Sequence, residues 1–264
     1  MKHLKETSGA AMKKIKLCFI GCGAVTRMHS RMIRARGLPV ELFYASRTLA
    51  NAQEYCRKFG GLNAFGDYEA ACAAAEVEAV FICTPHALHL EHARLAARYR
   101  KPVLIEKPAT RTLAELDQLE ATVREAGVLC MVAENYFFKP IVAVLRKHLD
   151  AGDIGEPLFF ELNRINRGRN HGWRANEDMM GGGALLEGGV HWINLMRCLG
   201  GEVQSVLALR PEKKYAMVSP SEDGLEALFK FQNGAVGKLL HSWNLANRLR
   251  GLSLSKIYGT EGNI

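Results

Sequence analysis

The chain has 264 residues, enough to bury one large hydrophobic core or two smaller ones. Its net charge of +8 suits anionic ligands, but the basic residues are scattered with no dense run, so no nucleic-acid partner is expected. No apolar stretch reaches the length that spans a bilayer, which excludes a membrane partner, and residues 1–12 lack the apolar segment of a secretory signal.

Seven cysteines, an odd number with no Cys-x-x-Cys pair, read as reduced, buried residues of a cytoplasmic protein with no metal centre. Residues 1–12 read as a disordered extension. From Ile15 to Ile20 a short apolar run has the length of a strand covered on both faces. Gly21-Cys22-Gly23 breaks it, and a helix follows to Ala35, with Met28, Met32 and Ala35 on one stripe. Such a turn aims the free N–H groups around Gly21, Gly23, Ala24 and Val25 at one point, where the helix dipole favours a pyrophosphate. Thr26 stands where the dinucleotide fingerprint has its third glycine.

A second strand, Val40 to Ala45, ends in Ser46-Arg47. NAD-binding folds place an acidic residue at that strand end, on the ribose 2′-hydroxyl. Here a hydroxyl and a guanidinium stand instead, groups that suit a 2′-phosphate, so NADP is expected over NAD. Helices at 49–59, 67–75, 87–99 and 113–126 alternate with strands at 78–83, 102–105 and 128–133. That order predicts a doubly wound parallel sheet with right-handed crossovers. Ligands bind beyond the carboxyl ends of such strands, where Gly21, Ser46, Thr84, Lys107 and Glu134 fall. The proline after Lys107 biases it toward an extended backbone, projecting its amine from the strand end.

Beyond Tyr136 the composition shifts. A helix at 141–151 leads to an alternating strand, Leu158 to Asn166, then to a basic loop holding Arg164, Arg167, Arg169, His171, Trp173 and Arg174. Gly181-Gly182-Gly183 precedes a helix from about Ala184 to Leu199. Glu187 and His191, four apart, should share its face, with Asn194 three further on. Gly188 and Gly189 inside the helix imply a close approach, for which a flat cofactor ring is the expected partner. Strands at 203–210, 224–232, 236–243 and 252–258 complete a mostly antiparallel sheet. The expected domains are 13–136, dinucleotide-binding, and 137–264, for substrate and oligomerisation.

Together, the Gly21-Cys22-Gly23 turn with His29, Thr84-Pro85-His86 with His89, Glu106-Lys107-Pro108, Trp173-Arg174, GGGALLEGGVHWIN and the terminal YGTEGNI resemble the glucose–fructose oxidoreductase, inositol dehydrogenase and rhizopine-catabolism (Gfo/Idh/MocA) family. The resemblance implies a Rossmann domain followed by an α/β domain with a large open sheet, continuing past Ile264 and serving as a homodimer or homotetramer interface. It implies hydride transfer between a nicotinamide and a hydroxyl or carbonyl carbon of a sugar or cyclic polyol. Lys107 would position the substrate oxygen, and His191 would exchange its proton. Glu187, in place of the family's usual aspartate, would orient His191 or bind substrate. Thr84, Pro85, His86, His89, Glu106, Trp173 and Arg174 would line the cofactor. Asn194 and Glu134 would contact substrate. A glycosidase that uses NAD transiently, and a non-catalytic nucleotide sensor, are the alternatives.

Overall fold

The computed structural model describes residues 13–166, 172–212, 221–245 and 254–264. The predicted extension at 1–12, Arg167, Arg169 and His171 of the basic loop, and the start of the predicted strand at 252–258 lie outside them. The chain divides into two compact units, one comprising residues 1–84, 89–106 and 117–131, the other residues 85–88, 107–116 and 132–264.

In the first unit β1 (Ile15–Ile20), α1 (Ala24–Ala35), β2 (Val40–Ala45), α2 (Leu49–Phe59), β3 (Asn63–Phe65), α3 (Tyr68–Ala73), β4 (Ala79–Ile82), α4 (His89–Arg98), β5 (Val103–Ile105), α5 (Leu113–Ala126) and β6 (Cys130–Val132) follow in turn. The strands form one parallel sheet in the order β3-β2-β1-β4-β5-β6, the doubly wound arrangement. Central positions are apolar on both faces because helices cover both. Phe19 is fully buried, its ring 5.7 Å from Tyr44 and 5.3 Å from Phe81.

Three expectations change here. The edge strand β3 was not anticipated, since three residues are too few for a periodic signal. Met28 and Met32 on α1 are exposed, and the buried face carries Thr26 and Ser30 instead. Both are small, and each hydroxyl has a partner. Thr26 donates to the Gly21 carbonyl at 2.5 Å, and Ser30 Oγ accepts from the Tyr44 hydroxyl at 2.9 Å. The cysteines are all free thiols, but only Cys18 and Cys72 are fully buried, the other five partly so.

In the second unit α6 (Pro140–Asp150), β7 (Pro157–Ile165), α7 (Glu177–Met180), α8 (Val190–Gly200), β8 (Val203–Leu209), β9 (Gly224–Phe231), β10 (Val236–Ser242) and β11 (Lys256–Gly259) build a mixed sheet. Its order is β11-β7-β10-β9-β8, with β7 and β10 parallel and the other pairs antiparallel. One face packs under α6 and α8 through Val142, Met196, Phe160, Phe231 and Leu239. The other face is exposed and carries Phe159, Leu207, Leu228 and Tyr258. Among the described residues no helix is long and apolar enough to cross a membrane.

Candidate active site

The glycine turn in the first unit is shaped for an anion. Gly21 adopts φ +101°, and a Cβ there would lie 2.9 Å from Thr84 Cγ2 and 3.0 Å from the Cys83 carbonyl oxygen. Gly23 is different, because a Cβ would meet nothing within 4 Å. Gly23 is also the N-cap of α1, with no side chain capping the helix and no acidic residue in its first turn. The first N–H groups, including those of Ala24 and Val25, are left to an outside acceptor. Burial pushes the Cys22 thiol up to about 12, so it adds no negative charge there.

At the neighbouring strand ends, Ser46 is buried, and its Oγ accepts from Asn51 Nδ2 at 3.3 Å, whereas Arg47 is exposed. Thr84 Oγ1 and His92 Nδ1 are 2.9 Å apart, and His89 Nε2 donates to the Thr84 carbonyl at 3.0 Å. Burial and, secondarily, the charges of His89 and Arg47 lower His92 to about 4, so it is neutral at pH 7. Glu106 accepts from His29 Nε2 at 2.8 Å.

The second unit holds a charged cluster around Glu187. Lys107 directly follows the Glu106 strand end, and its Nζ donates to the Glu187 backbone carbonyl at 2.6 Å and to Glu187 Oε2 at 3.0 Å. Arg174 Nε donates to Glu187 Oε1 at 2.6 Å. His86 Nε2 stands 3.4 Å from Oε2, while its Nδ1 donates to the Met180 carbonyl. Trp173 meets the His86 ring edge-on and lies under the Arg174 guanidinium. Burial alone would raise the Glu187 carboxyl. The His86 hydrogen bond and the charges of Lys107 and Arg174 outweigh it and hold the group well below the usual carboxylate range. Glu187 is therefore an ionised clamp on two cations.

His191 belongs to a different contact set. Its Nδ1 lies 2.8 and 2.7 Å from the two oxygens of Glu134. The predicted pairing of Glu187 with His191 does not form. Residues Leu185–Gly189 make a π-helical turn before α8, so a separation of four no longer stacks two side chains as it would in an α-helix. The helix glycines are likewise explained by the protein itself. A Cβ at Gly188 would lie 3.3 Å from His241 Nε2, and one at Gly189 would lie 2.5 Å from Leu185 Cδ1. Side chains, not a cofactor ring, make the close approach. Glu134 is engaged by His191 and by the Tyr136 N–H at 2.7 Å. Asn194 is partly buried on α8 and joins neither cluster.

Glu134 is held as a carboxylate in this arrangement. Burial raises its carboxyl, but the His191 hydrogen bond, the Tyr136 N–H and the charges of His191 and Lys107 together lower it.

A Rossmann sheet with an anion-ready turn, in a chain that also pairs a lysine with one carboxylate and a histidine with another, has the equipment of a dinucleotide-dependent oxidoreductase. Comparison with known families makes this definite. A model described as an oxidoreductase family with an NAD-binding Rossmann fold matches residues 15–134, and one for the GFO/IDH/MocA C-terminal domain matches residues 142–264. The chain belongs to the Gfo/Idh/MocA oxidoreductase family.

Levoglucosan dehydrogenase of Pseudarthrobacter phenanthrenivorans is 29% identical over 287 residues, covering 96% of this chain and 73% of the relative. Trans-1,2-dihydrobenzene-1,2-diol dehydrogenase of Mus musculus is 31% identical over 203 residues, covering 73% of this chain and 57% of the relative. Among solved structures, a levoglucosan dehydrogenase in complex with NADH superposes with a TM-score of 0.84 at 28% identity, over 95% of this chain and 72% of that one. The matched region thus spans between about half and three quarters of these proteins.

Proposed function

We infer that this chain transfers a hydride between a nicotinamide dinucleotide and a hydroxyl-bearing carbon of a pyranose sugar or cyclic polyol. The observation that carries the reading is that this one unit pairs Lys107 with the Glu187 carboxylate and His191 with the Glu134 carboxylate. Carbinol oxidation needs a cationic donor on the oxygen and a base for its proton, and these two residue types supply them. Lys107 orients the oxygen, with Glu187 fixing the direction of its ammonium. His191 exchanges the proton. Glu187 stays ionised and donates none. The bound nicotinamide supplies or accepts the hydride.

The uncapped start of α1 at Gly21, Gly23, Ala24 and Val25 would hold the pyrophosphate. Thr84, Pro85, His86, His89, Glu106, Trp173 and Arg174 are the further cofactor-side residues of this reading. NADP is favoured over NAD because the β2 end carries the exposed Arg47 and no carboxylate. Since the Ser46 hydroxyl already accepts from Asn51, Arg47 bears most of that preference. The names of the relatives, a levoglucosan and a dihydrobenzenediol dehydrogenase, point to a sugar or a cyclic diol as substrate. The exposed apolar face of the second sheet would meet a second copy of the chain, and seven free thiols suit a reducing cytoplasm.

The test is a panel of pyranosides, levoglucosan, inositols and dicarbonyl compounds with NAD and NADP, or their reduced forms, read as absorbance change at 340 nm. Substrate-dependent turnover that is lost in Lys107→Ala and in His191→Ala, both still binding NADPH by fluorescence, supports the reading. A panel with no turnover, or variants as fast as the parent, refutes it.

A further inference from the structure

We propose that Glu134 is a positioning residue that fixes the His191 tautomer, placing the proton on Nδ1 and leaving Nε2 as the atom that exchanges a proton with the substrate hydroxyl. The proposal rests on the hydride-transfer reading for its chemistry, but its geometry stands separately.

A carboxylate only accepts hydrogen bonds, so the His191 nitrogen facing it must carry the hydrogen. Both Glu134 oxygens lie within 2.8 Å of Nδ1, and the described residues offer Nε2 no hydrogen-bond partner. The carboxylate is itself pinned. Its Oε1 accepts from the Tyr136 N–H at 2.7 Å, so it cannot turn away without losing that bond. The Tyr136 ring stacks on the imidazole, with centroids 4.2 Å apart and planes 6° apart, while Lys139 Nζ sits 3.2 Å from the Tyr136 ring centroid.

Residues 134 and 136 therefore hold the ring by its edge and by its face. One bond sets which nitrogen is protonated, and the stack resists rotation of the ring. The remaining titratable groups around His191 do not compete for this role. Lys107 is engaged by Glu187, through its backbone carbonyl and Oε2. His241 is lowered to about 4, by burial first and then by the charges of Arg164 and His191, and is neutral. In the oxidation direction the substrate O–H bond breaks and its proton passes to Nε2. Nδ1–H stays on Glu134, and the imidazolium later releases the Nε2 proton to water.

The experiment compares the parent with Glu134→Gln and Glu134→Asp, each labelled with 15N-histidine. Long-range 1H–15N spectra of the NADPH-bound protein report which imidazole nitrogen carries the hydrogen. The parent is expected to show His191 as the Nδ1–H tautomer. In Glu134→Gln the amide oxygen keeps the Tyr136 N–H and turns its NH2 toward Nδ1, so His191 moves to the Nε2–H form. With the best pyranoside of the panel, kcat of this variant should fall by about 10²-fold or more. KM and NADPH affinity should stay within about threefold. Glu134→Asp, which keeps the charge, should recover part of kcat.

A parent His191 protonated on Nε2, or a Glu134→Gln variant with the kcat of the parent, overturns the proposal. A rise in KM at constant kcat also overturns it, because that is the signature of a substrate ligand. If the parent turns over nothing in the panel, the hydride-transfer reading fails, while the tautomer measurement still decides the role of Glu134.

Discussion

Replacing Glu187 with Gln removes the charge that two cations and a histidine share. The side chains of Lys107 and Arg174 retain 18% and 31% exposure. Breaking a fully buried ion pair by removing one partner costs about 3–5 kcal/mol. Here both cations can relax partly toward water, which brings the cost down to about 2–3 kcal/mol. The amide also turns a donor against either Arg174 Nε or Lys107 Nζ, so hydrogen bonding restores little. For a chain of this size that predicts a fall in Tm of about 4–6 °C at pH 7.

The pH dependence has a definite sign. The folded Glu187 carboxyl titrates lower than the unfolded one, so the unfolded chain takes up the proton first as pH falls. The stabilisation is complete above the unfolded value near 4.5 and is lost as pH drops through it toward the folded value. Thermal melts followed by circular dichroism at pH 7 and pH 4 should show the gap between parent and variant narrowing at the lower pH. A variant melting within 1 °C of the parent at pH 7, or a gap that widens on acidification, would refute the clamp assignment.

Two further outcomes are expected. Arg47→Ala should weaken NADPH about tenfold in a fluorescence titration while leaving NADH unchanged, and equal losses for both would remove the 2′-phosphate role. Gly21→Ala, forced to keep φ near +101° with its Cβ against Thr84 and Cys83, should destabilise the first unit by about 1–3 kcal/mol in urea and abolish dinucleotide binding. Full binding in a stable variant would place the cofactor elsewhere.

Much of the dinucleotide half was legible because its signals are local: apolar runs of strand length, helices between them, and a glycine break after β1. The edge strand β3 was too short to carry a period. On α1 the reading noted the stripe of Met28, Met32 and Ala35, whereas the buried positions are Thr26 and Ser30, whose hydroxyls bond to the Gly21 carbonyl and to the Tyr44 hydroxyl of β2.

In the second unit the residue types of the cluster were readable, but their pairing was not. A π-turn at 185–189 cannot be seen in a pattern of fours, and it separates Glu187 from the His191 contact set. The true partner of His191 is 57 positions away. The only local hint was that Glu134 falls at a strand end, and nothing in the sequence told a histidine partner from a substrate ligand. Gly188 and Gly189 called for a close neighbour, yet glycine spacing does not say whether a cofactor or His241 and Leu185 will supply it.

The most direct test is a crystal structure of the protein with NADPH and a pyranoside of the panel. The account predicts one substrate hydroxyl within hydrogen-bond reach of both Lys107 Nζ and His191 Nε2, with Glu134 still on Nδ1. A sugar bound away from both groups, or one whose hydroxyl meets Glu134 while His191 Nε2 faces another side chain, would contradict it.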